Sequence, residues 1–405
     1  MDQELQPSSE EEVEEIVRAA LVDRRTLQLQ AGATKTGFGH PVRADHALHL
    51  DRLEGITLYE PEELVLAAKA GTPLARIESV LAENRQELAF EPADYGWLLG
   101  ASADRQTIGG VIACNLFGPR RIKAGSARDH LLGVRCVTGR GDSLRAGGRV
   151  MKNVTGYDLP KLLCGSFGTL AVLTEVTLKV LPAAETVGTL LLHGGSEPEL
   201  LAALRRAMGT PFEVSGAALL PELPASRSEV AAVRTVGAPL ALLRVEGPPP
   251  SVAYRLARLA EEIAASGLQT RELEDAPSRT LWREVRDLRL IPRERPLWRL
   301  AVPPTAADAL AAALAQRSPE RLYDQAGGLI WLAVEEADPE DASRLRKRID
   351  AVSGQATLVR APEPVRARIP VFHPRTGVRR ALERRVKEAF DPMGILNPGR
   401  IDPEF

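Results

Sequence analysis

The run from Leu170 to Val180 alternates residue by residue and reads as one long strand. Val172, Thr174, Val176, Leu178 and Val180 fall on one face, and Ala171, Leu173, Glu175, Thr177 and Lys179 on the other. Gly156, Gly165 and Gly168 crowd the segment Arg149 to Pro182 ahead of that strand. Glycines set just before a β-branched run imply that something approaches the backbone closely. Taken alone, this describes a buried strand with a tight entry.

A second glycine-rich segment, QAGATKTGFG from Gln30 to Gly39, follows the β-rich run Thr26–Gln30. A glycine-rich loop leaving a strand exposes backbone N–H groups that can converge on a phosphate or pyrophosphate, and Lys35 adds a positive charge. Gly32 and Gly37 have the spacing of a Walker A loop, but Phe38-Gly39 stands where Lys-Ser/Thr is required. The dinucleotide fingerprint fails too, because the two glycines lie five apart and no regular helix follows. For this loop alone, an ordinary glycine turn is the competing reading.

The third segment runs from Glu91 to Val137. Thr107-Ile108-Gly109-Gly110 sets two adjacent glycines where β-carbons would block a planar or anionic ligand, and the Asn115 amide can both donate and accept. Gly118, Gly125 and Gly133 keep the stretch open, and Arg128-Asp129 offers a local ion pair. Three such segments in one half of a chain are hard to explain by turns.

Together the three segments resemble the FAD-binding domain of the vanillyl-alcohol-oxidase and p-cresol-methylhydroxylase type. FDPMGILNPGRI, Phe390 to Ile401, resembles the closing motif of FAD-linked oxidases in that superfamily. More narrowly, CNLFGPRRIKAGSARDHLLG, GGRVMKNVTGYDL and DQAGGLIWL resemble the FAD-binding E subunits of bacterial glycolate oxidases, over essentially the whole chain.

The resemblance implies an α+β fold: a two-subdomain FAD-binding domain with a ferredoxin-like α+β cap. It also implies roles. Gly32, Ala33, Thr34, Lys35, Thr36 and Gly37 would hold the pyrophosphate. Thr107, Ile108, Gly109, Gly110 and Asn115 would line the ribityl and ring region, Glu175 and Val176 would offer backbone groups to the adenine end, and Asn397 would reach the flavin. Many members attach FAD through His or Cys. The pyrophosphate loop has no histidine and Cys164 lies in another motif, so noncovalent FAD is expected.

Catalysis brings a departure from the superfamily pattern. Members that oxidise 2-hydroxy acids usually carry an HxGDGNxH segment, which is missing from the cap region; its only histidine before His373 is His193. Arg120 or Arg121 could pair with a substrate carboxylate, and His373 in PVFHP is a candidate base. A structural role competes with the catalytic one for all three. The expected assembly is a glycolate oxidase complex converting glycolate to glyoxylate, with a sister FAD-binding subunit and an iron–sulfur subunit as partners. The substrate is a small 2-hydroxy acid, glycolate or D-lactate. The alternatives are a free-standing FAD-linked oxidase or dehydrogenase of another 2-hydroxy acid or alcohol, and a non-catalytic flavin-bearing structural subunit.

Composition narrows the field further. The 405 residues are 44% hydrophobic and 26% charged, ordinary for a globular protein of two or three domains. A net charge of −2 and a pI near 6.4 give no electrostatic case for nucleic acid or an anionic membrane. The acidic opening MDQELQPSSEEEVEE is unlike a signal peptide, and the uncharged stretch near the core, Leu162–Thr174, is too short for a bilayer. The expected location is cytoplasmic, or peripheral on the inner face of the membrane through partners. Cys114, Cys136 and Cys164 form no CxxC pattern, and the six histidines none either, so no metal or cluster is expected.

Along the chain, Ser9 and Glu12 read as the capping box of a helix that presents Val13, Ile16, Val17 and Ala20 on one face. Strands follow at Thr26–Gln30, Ala47–Leu50 and Leu64–Ala70, then a helix over Leu74–Glu83. His46 and His49 sit on opposite faces of their strand and read as structural. The domains are read as 1–182 for FAD, 183–370 for the cap, and 371–405 returning to the FAD domain. Within the cap, strand–helix alternation recurs twice, over Thr189–Leu273 and Leu297–Arg360, as expected for ferredoxin-like units. One helix there should span Ala306–Gln316, and Gly247-Pro248-Pro249-Pro250 should be a stiff loop. The last helix should span Val378–Ala389.

Overall fold

The computed structural model describes residues 5–102, 104–150, 156–314 and 320–404. Met151–Thr155 of the GGRVMKNVTGYDL motif and the expected helix end at Gln316 lie outside them. The chain forms two compact units. The first comprises Met1–Phe117, Gly125–Ala183 and Pro370–Phe405; the second comprises Gly118–Ala124 and Ala184–Ile369. The short stretch 118–124, counted with the first domain on sequence, thus clusters with the second unit.

The first unit is built on the alternating strand. Ala171–Lys179 is the centre of a five-stranded antiparallel sheet, in the order Ile56–Glu60, Val65–Lys69, Ala171–Lys179, Leu131–Thr138, Ser143–Gly147. Val172, Thr174, Val176 and Leu178 are buried. On the other face Glu175, Thr177 and Lys179 are half-buried, but Ala171 and Leu173 are buried where they line a cleft, so burial alternates only from Thr174 on. A helix over Glu10–Asp23 starts where the Ser9 side chain accepts from the Glu12 N–H. The expected reciprocal box is shifted by one residue: the Glu12 carboxylate accepts from the Ser8 N–H at 2.7 Å. Val13, Val17, Leu27, Leu48, Val137, Val172, Ile395 and Leu396 form one core cluster, tying the N-terminal helix and both sheets to the C-terminal segment.

That segment joins the edge of the small parallel pair Leu27–Gln30 and His46–His49. Leu27 N–H donates to the Ile395 carbonyl at 2.7 Å, and Asn397 N–H to the Leu27 carbonyl at 2.9 Å. Next to it, the buried Lys387 ammonium donates to the carbonyls of Thr169 and Leu396 and to the Asp391 carboxylate, at 2.7, 3.2 and 2.6 Å.

The second unit is one eight-stranded sheet in the order Gln269–Leu273, Thr186–His193, Leu240–Gly247, Gly216–Leu220, Glu320–Asp324, Leu329–Ala333, Leu297–Ala301, Gln355–Arg360. Each half reads strand, helix, strand, strand, helix, strand in sequence. The first and third strands are central and the second and fourth flank them, which is the ferredoxin-like arrangement. The two halves meet edge to edge through Leu219 and Tyr323, which removes one exposed edge from each. The proline run is not a loop. Pro249 and Pro250 form the first turn of a helix over Pro249–Ala264, where the ring pre-sets φ and no N–H partner is needed. Among the described residues no helix is long and apolar enough to cross a membrane.

Candidate functional site

A cleft in the first unit is bounded by the strand Leu27–Gln30, the loop that follows it, the start of the helix Ile108–Ala113, the turn before Ala171 and the C-terminal segment. Of the residues singled out on sequence, it brings together Gly32, Ala33, Thr34, Lys35, Thr36, Thr107, Gly109, Gly110 and Asn397. Gly37, Ile108, Asn115, Glu175 and Val176 do not line it, nor do Arg121 and His373.

Apart from Gly37, each exclusion has a local cause. Ile108 and Val176 are wholly buried in the core. Glu175 and Val176 lie mid-strand, matched to Lys69 and Ala68 on one side and to Arg135 and Val134 on the other. Asn115 is half-buried and held elsewhere, its Oδ1 accepting from the Arg128 N–H at 3.0 Å. Arg121 is exposed at the start of the short helix Arg121–Ala124, and His373 is half-buried in the link before the last helix.

The loop's conformation is set from below. Gly32 is required because a β-carbon there would lie 1.6 Å from the Arg105 carbonyl. Ala33 has φ 54°, a left-handed geometry that an L-residue adopts only under constraint. Phe38, where a Walker lysine would stand, is buried and meets Tyr95, Phe167 and Phe372 at ring-centroid distances of 5.5, 5.0 and 5.9 Å. The Arg400 guanidinium donates to the carbonyls of Lys35 at 2.6 Å, Thr36 at 3.1 Å and His40 at 3.4 Å.

Lys35 is the electrostatic centre. It is buried, and among the described residues its ammonium has one hydrogen bond, to Thr34 Oγ1 at 3.0 Å. Burial pulls its pKa down to about 8, opposed by Cys114 and Asp94. A buried ammonium without an ion pair among the described residues is costly unless an anion joins it. Gly110 keeps space in front of it, since a β-carbon there would sit 3.4 Å from Lys35 Nζ. Gly109 serves a different end: its β-carbon would meet the Ala70 Cβ and carbonyl at 2.7 Å, so its absence permits helix–strand contact. Thr107 caps the short helix, Oγ1 accepting from the Gly110 N–H at 3.4 Å.

The sequence reading passed over Cys114, Phe167, Gly168 and Arg400 as site residues, although all four line the cleft. Cys114 sits beside Lys35; burial raises its thiol pKa, against the pull of Lys35 and Arg400. The close approach implied by the glycines before the central strand is made by Asn397: a β-carbon at Gly168, where φ is 68°, would meet Asn397 Nδ2 at 2.9 Å. That amide bridges the Leu29 N–H and the Phe167 carbonyl, both at 2.8 Å. Asn397 itself has φ 43°. The NPG turn after Leu396 was the signal that could have pointed onward to Arg400.

An apolar cleft carrying one buried ammonium, a glycine-lined wall and strained loop residues fits an elongated cofactor with an anionic middle. Residues 2–147 match the FAD binding domain family. The chain aligns in three dimensions with p-cresol methylhydroxylase at TM-score 0.67 and 15% identity, covering 99% of this chain and 89% of that one. The fold is thus shared with p-cresol methylhydroxylase, and the FAD-binding match together with the relatives makes the chain an FAD-dependent oxidoreductase. The chain is 33% identical to the glycolate oxidase subunit GlcE of Escherichia coli (strain K12), over 96% of its own length and 97% of the relative's, and it belongs to that family. It is also 32% identical to the glycolate oxidase subunit GlcD of Bacillus subtilis (strain 168), over 40% of this chain and 33% of that one.

Proposed function

We propose that this chain is the FAD-binding E-type subunit of a glycolate oxidase (dehydrogenase) complex that oxidises glycolate to glyoxylate. The end-to-end match to GlcE carries the reading; the buried Lys35 ammonium lining the cleft, without an ion pair among the described residues, supports the cofactor assignment. Lys35 and the backbone of residues 32–36 would hold the pyrophosphate. Thr107, Gly109 and Gly110 would border the ribityl chain, and Asn397 would keep the neighbouring backbone in register. FAD supplies the hydride acceptor for such an oxidation.

FAD is held noncovalently in this reading. The loop carries no histidine, and the thiol nearest to Lys35, Cys114, is pushed up by burial and so stays protonated and a poor nucleophile. The sister flavin subunit, a relative of GlcD, would supply the substrate-side base, and an iron–sulfur subunit would take the electrons. The sequence given has no HxGDGNxH segment, which also favours a second reading: a flavin-bearing subunit with no substrate chemistry of its own. The assembly would be cytoplasmic, with any membrane contact made through partners.

Purification decides between these readings. The chain should be yellow, and acid or heat should release its FAD into the supernatant. Alone it should reduce a dye with glycolate or D-lactate very slowly, and co-purified sister and iron–sulfur subunits should restore turnover. Fast reduction by the isolated chain, weakened by His373→Ala or Arg121→Ala, would replace the complex with a free-standing oxidase. Restored turnover unaffected by stripping this chain's flavin would favour the structural reading.

A further inference from the structure

The last helix, Gly377–Phe390, buries a lysine while leaving aliphatic side chains exposed. Its less exposed side is Arg380, Glu383, Val386, Lys387 and Phe390, and three of those five are charged, with Lys387 the one that is buried. The outward face carries Val378, Ala381, Leu382 and Ala389, all exposed, with Val378 at 86% and Leu382 at 57%. Lys387 explains the orientation: its ammonium is tied to the Thr169 and Leu396 carbonyls and to Asp391, so the helix is anchored by its polar side. Rotating it to hide Val378 and Leu382 would tear out that buried group. Met393, just past the helix, adds a further exposed apolar side chain at 54%. An outward aliphatic stripe on a fixed helix marks an interaction surface.

Charge selects among occupants. The segment from Arg375 to Phe390 holds six cationic side chains against two glutamates, in a chain whose net charge is −2. Arg375 pairs with Glu383, and Arg380 with Asp402 and Glu404. Arg379 and Arg385 have no ion pair among the described residues, and Arg385, seven residues after Val378, lies within the apolar stripe itself. A second copy of this chain across a two-fold axis would bring arginines against arginines. A membrane surface is also a poor match, because the stripe has only two large aliphatic side chains and no aromatic one to insert.

We infer that the face Val378–Leu382–Arg385 docks the sister flavin-bearing subunit through an apolar patch that offers a carboxylate to Arg385. The inference rests on the assembly reading above. A partner with that chemistry covers the aliphatic stripe and neutralises a guanidinium that would otherwise oppose its burial. One helix is smaller than a standard interface of about 20–30 residues a side, so this face is its centre, not its whole extent.

The test uses the purified full-length chain and the purified sister subunit, with binding followed by interferometry and size exclusion. Leu382→Glu and Arg385→Glu should each weaken the complex at least ~10-fold. Arg385→Lys should weaken it less, and Val22→Glu on the N-terminal helix should leave it unchanged. FAD content and melting temperature should be the same in all variants. If the wild-type pair does not associate at all, the assembly reading falls and the docking face with it. If the pair associates and the variants bind at wild-type affinity, only the docking face is wrong. Loss of a wild-type homodimer in Leu382→Glu would assign the face to a second copy instead, and Leu382-dependent binding to vesicles of phosphatidylserine would assign it to lipid.

Discussion

Arg400 Nη2 donates to the Lys35 carbonyl at 2.6 Å, across 365 residues of sequence. With Nη1 on the Thr36 and His40 carbonyls, one guanidinium draws the loop's oxygens towards itself on the side of the C-terminal segment. Arg400 thus sets the shape of the glycine-rich loop, and Asn397 sets the strand leading into it.

Arg400→Met should therefore loosen the loop more than the fold. Hydrogen bonds from a charged group are worth about 1.5–3 kcal/mol each, but loop relaxation recovers part of that. FAD affinity should fall ~10–100-fold, with a smaller loss of apoprotein stability. Arg400→Lys should recover only part, because an ammonium lacks the planar fork that spans several carbonyls. Flavin fluorescence titration measures the affinity, and wild-type affinity in Arg400→Met would remove the clamp from the account.

Lys35 predicts opposite pH trends for the apoprotein and for cofactor binding. Its folded pKa, about 8, lies below the ordinary value of 10.5. Between those values the unfolded chain holds the proton more tightly, so apoprotein stability should rise as pH increases through that window. The pyrophosphate favours the charged ammonium, so FAD affinity should be steady below pH 8 and decline above it. Lys35→Met should flatten both profiles, weaken FAD and raise apoprotein stability. Melting curves and dissociation constants on either side of pH 8 check all three.

The adjacent glycines should separate cleanly. Gly109→Ala places a methyl against Ala70 and should cost about 1–3 kcal/mol of stability. Gly110→Ala should be mild, whereas Gly110→Val should crowd Lys35 and abolish flavin binding with much of the fold intact. Circular dichroism melting and bound-flavin absorbance distinguish the two outcomes; full FAD occupancy in Gly110→Val would mean that position 110 does not face the cofactor.

The Lys387–Asp391 pair anchors the C-terminal return. Lys387→Met leaves the buried Asp391 carboxylate without its cation and should cost roughly 3–5 kcal/mol. Asp391 would keep its bonds from the Ile395 and Leu396 N–H groups, so Lys387→Met should fold at low temperature and melt early. A denaturant titration measures the difference.

Local signals explain what could be read in advance. The strand Ala171–Lys179 and the paired strand–helix patterns of the second unit follow from side-chain period, which is written in adjacent residues. The glycine loop around Lys35 was legible for the same reason: an excess of glycine is a property of a short window. Even the proline pair at Pro249 carried a helix-start signal, although it was read as a loop.

Facing was harder to read. Glu175, Val176 and Asn115 belong to the right segments, but spacing alone did not say that their surroundings turn them away from the cleft. Cys114, next to Asn115, was read only as a cysteine without a CxxC pattern, because a lone thiol carries no spacing that points to a ligand. The aromatic contacts of Phe38 with Phe167 and Phe372 join three distant parts of the chain.

What the sequence by itself determined was the set of local elements, the family, and a loop able to meet a phosphate. Only the tertiary structure decided that Arg400 and Asn397 hold that loop and that Lys35 is buried without a counter-ion among the described residues. It also decided that the last helix turns its aliphatic stripe outward. The physical reason is the same in each case: hydrogen bonds, desolvation and packing depend on distances between atoms, and those distances are set by the folded chain, not by neighbours in sequence.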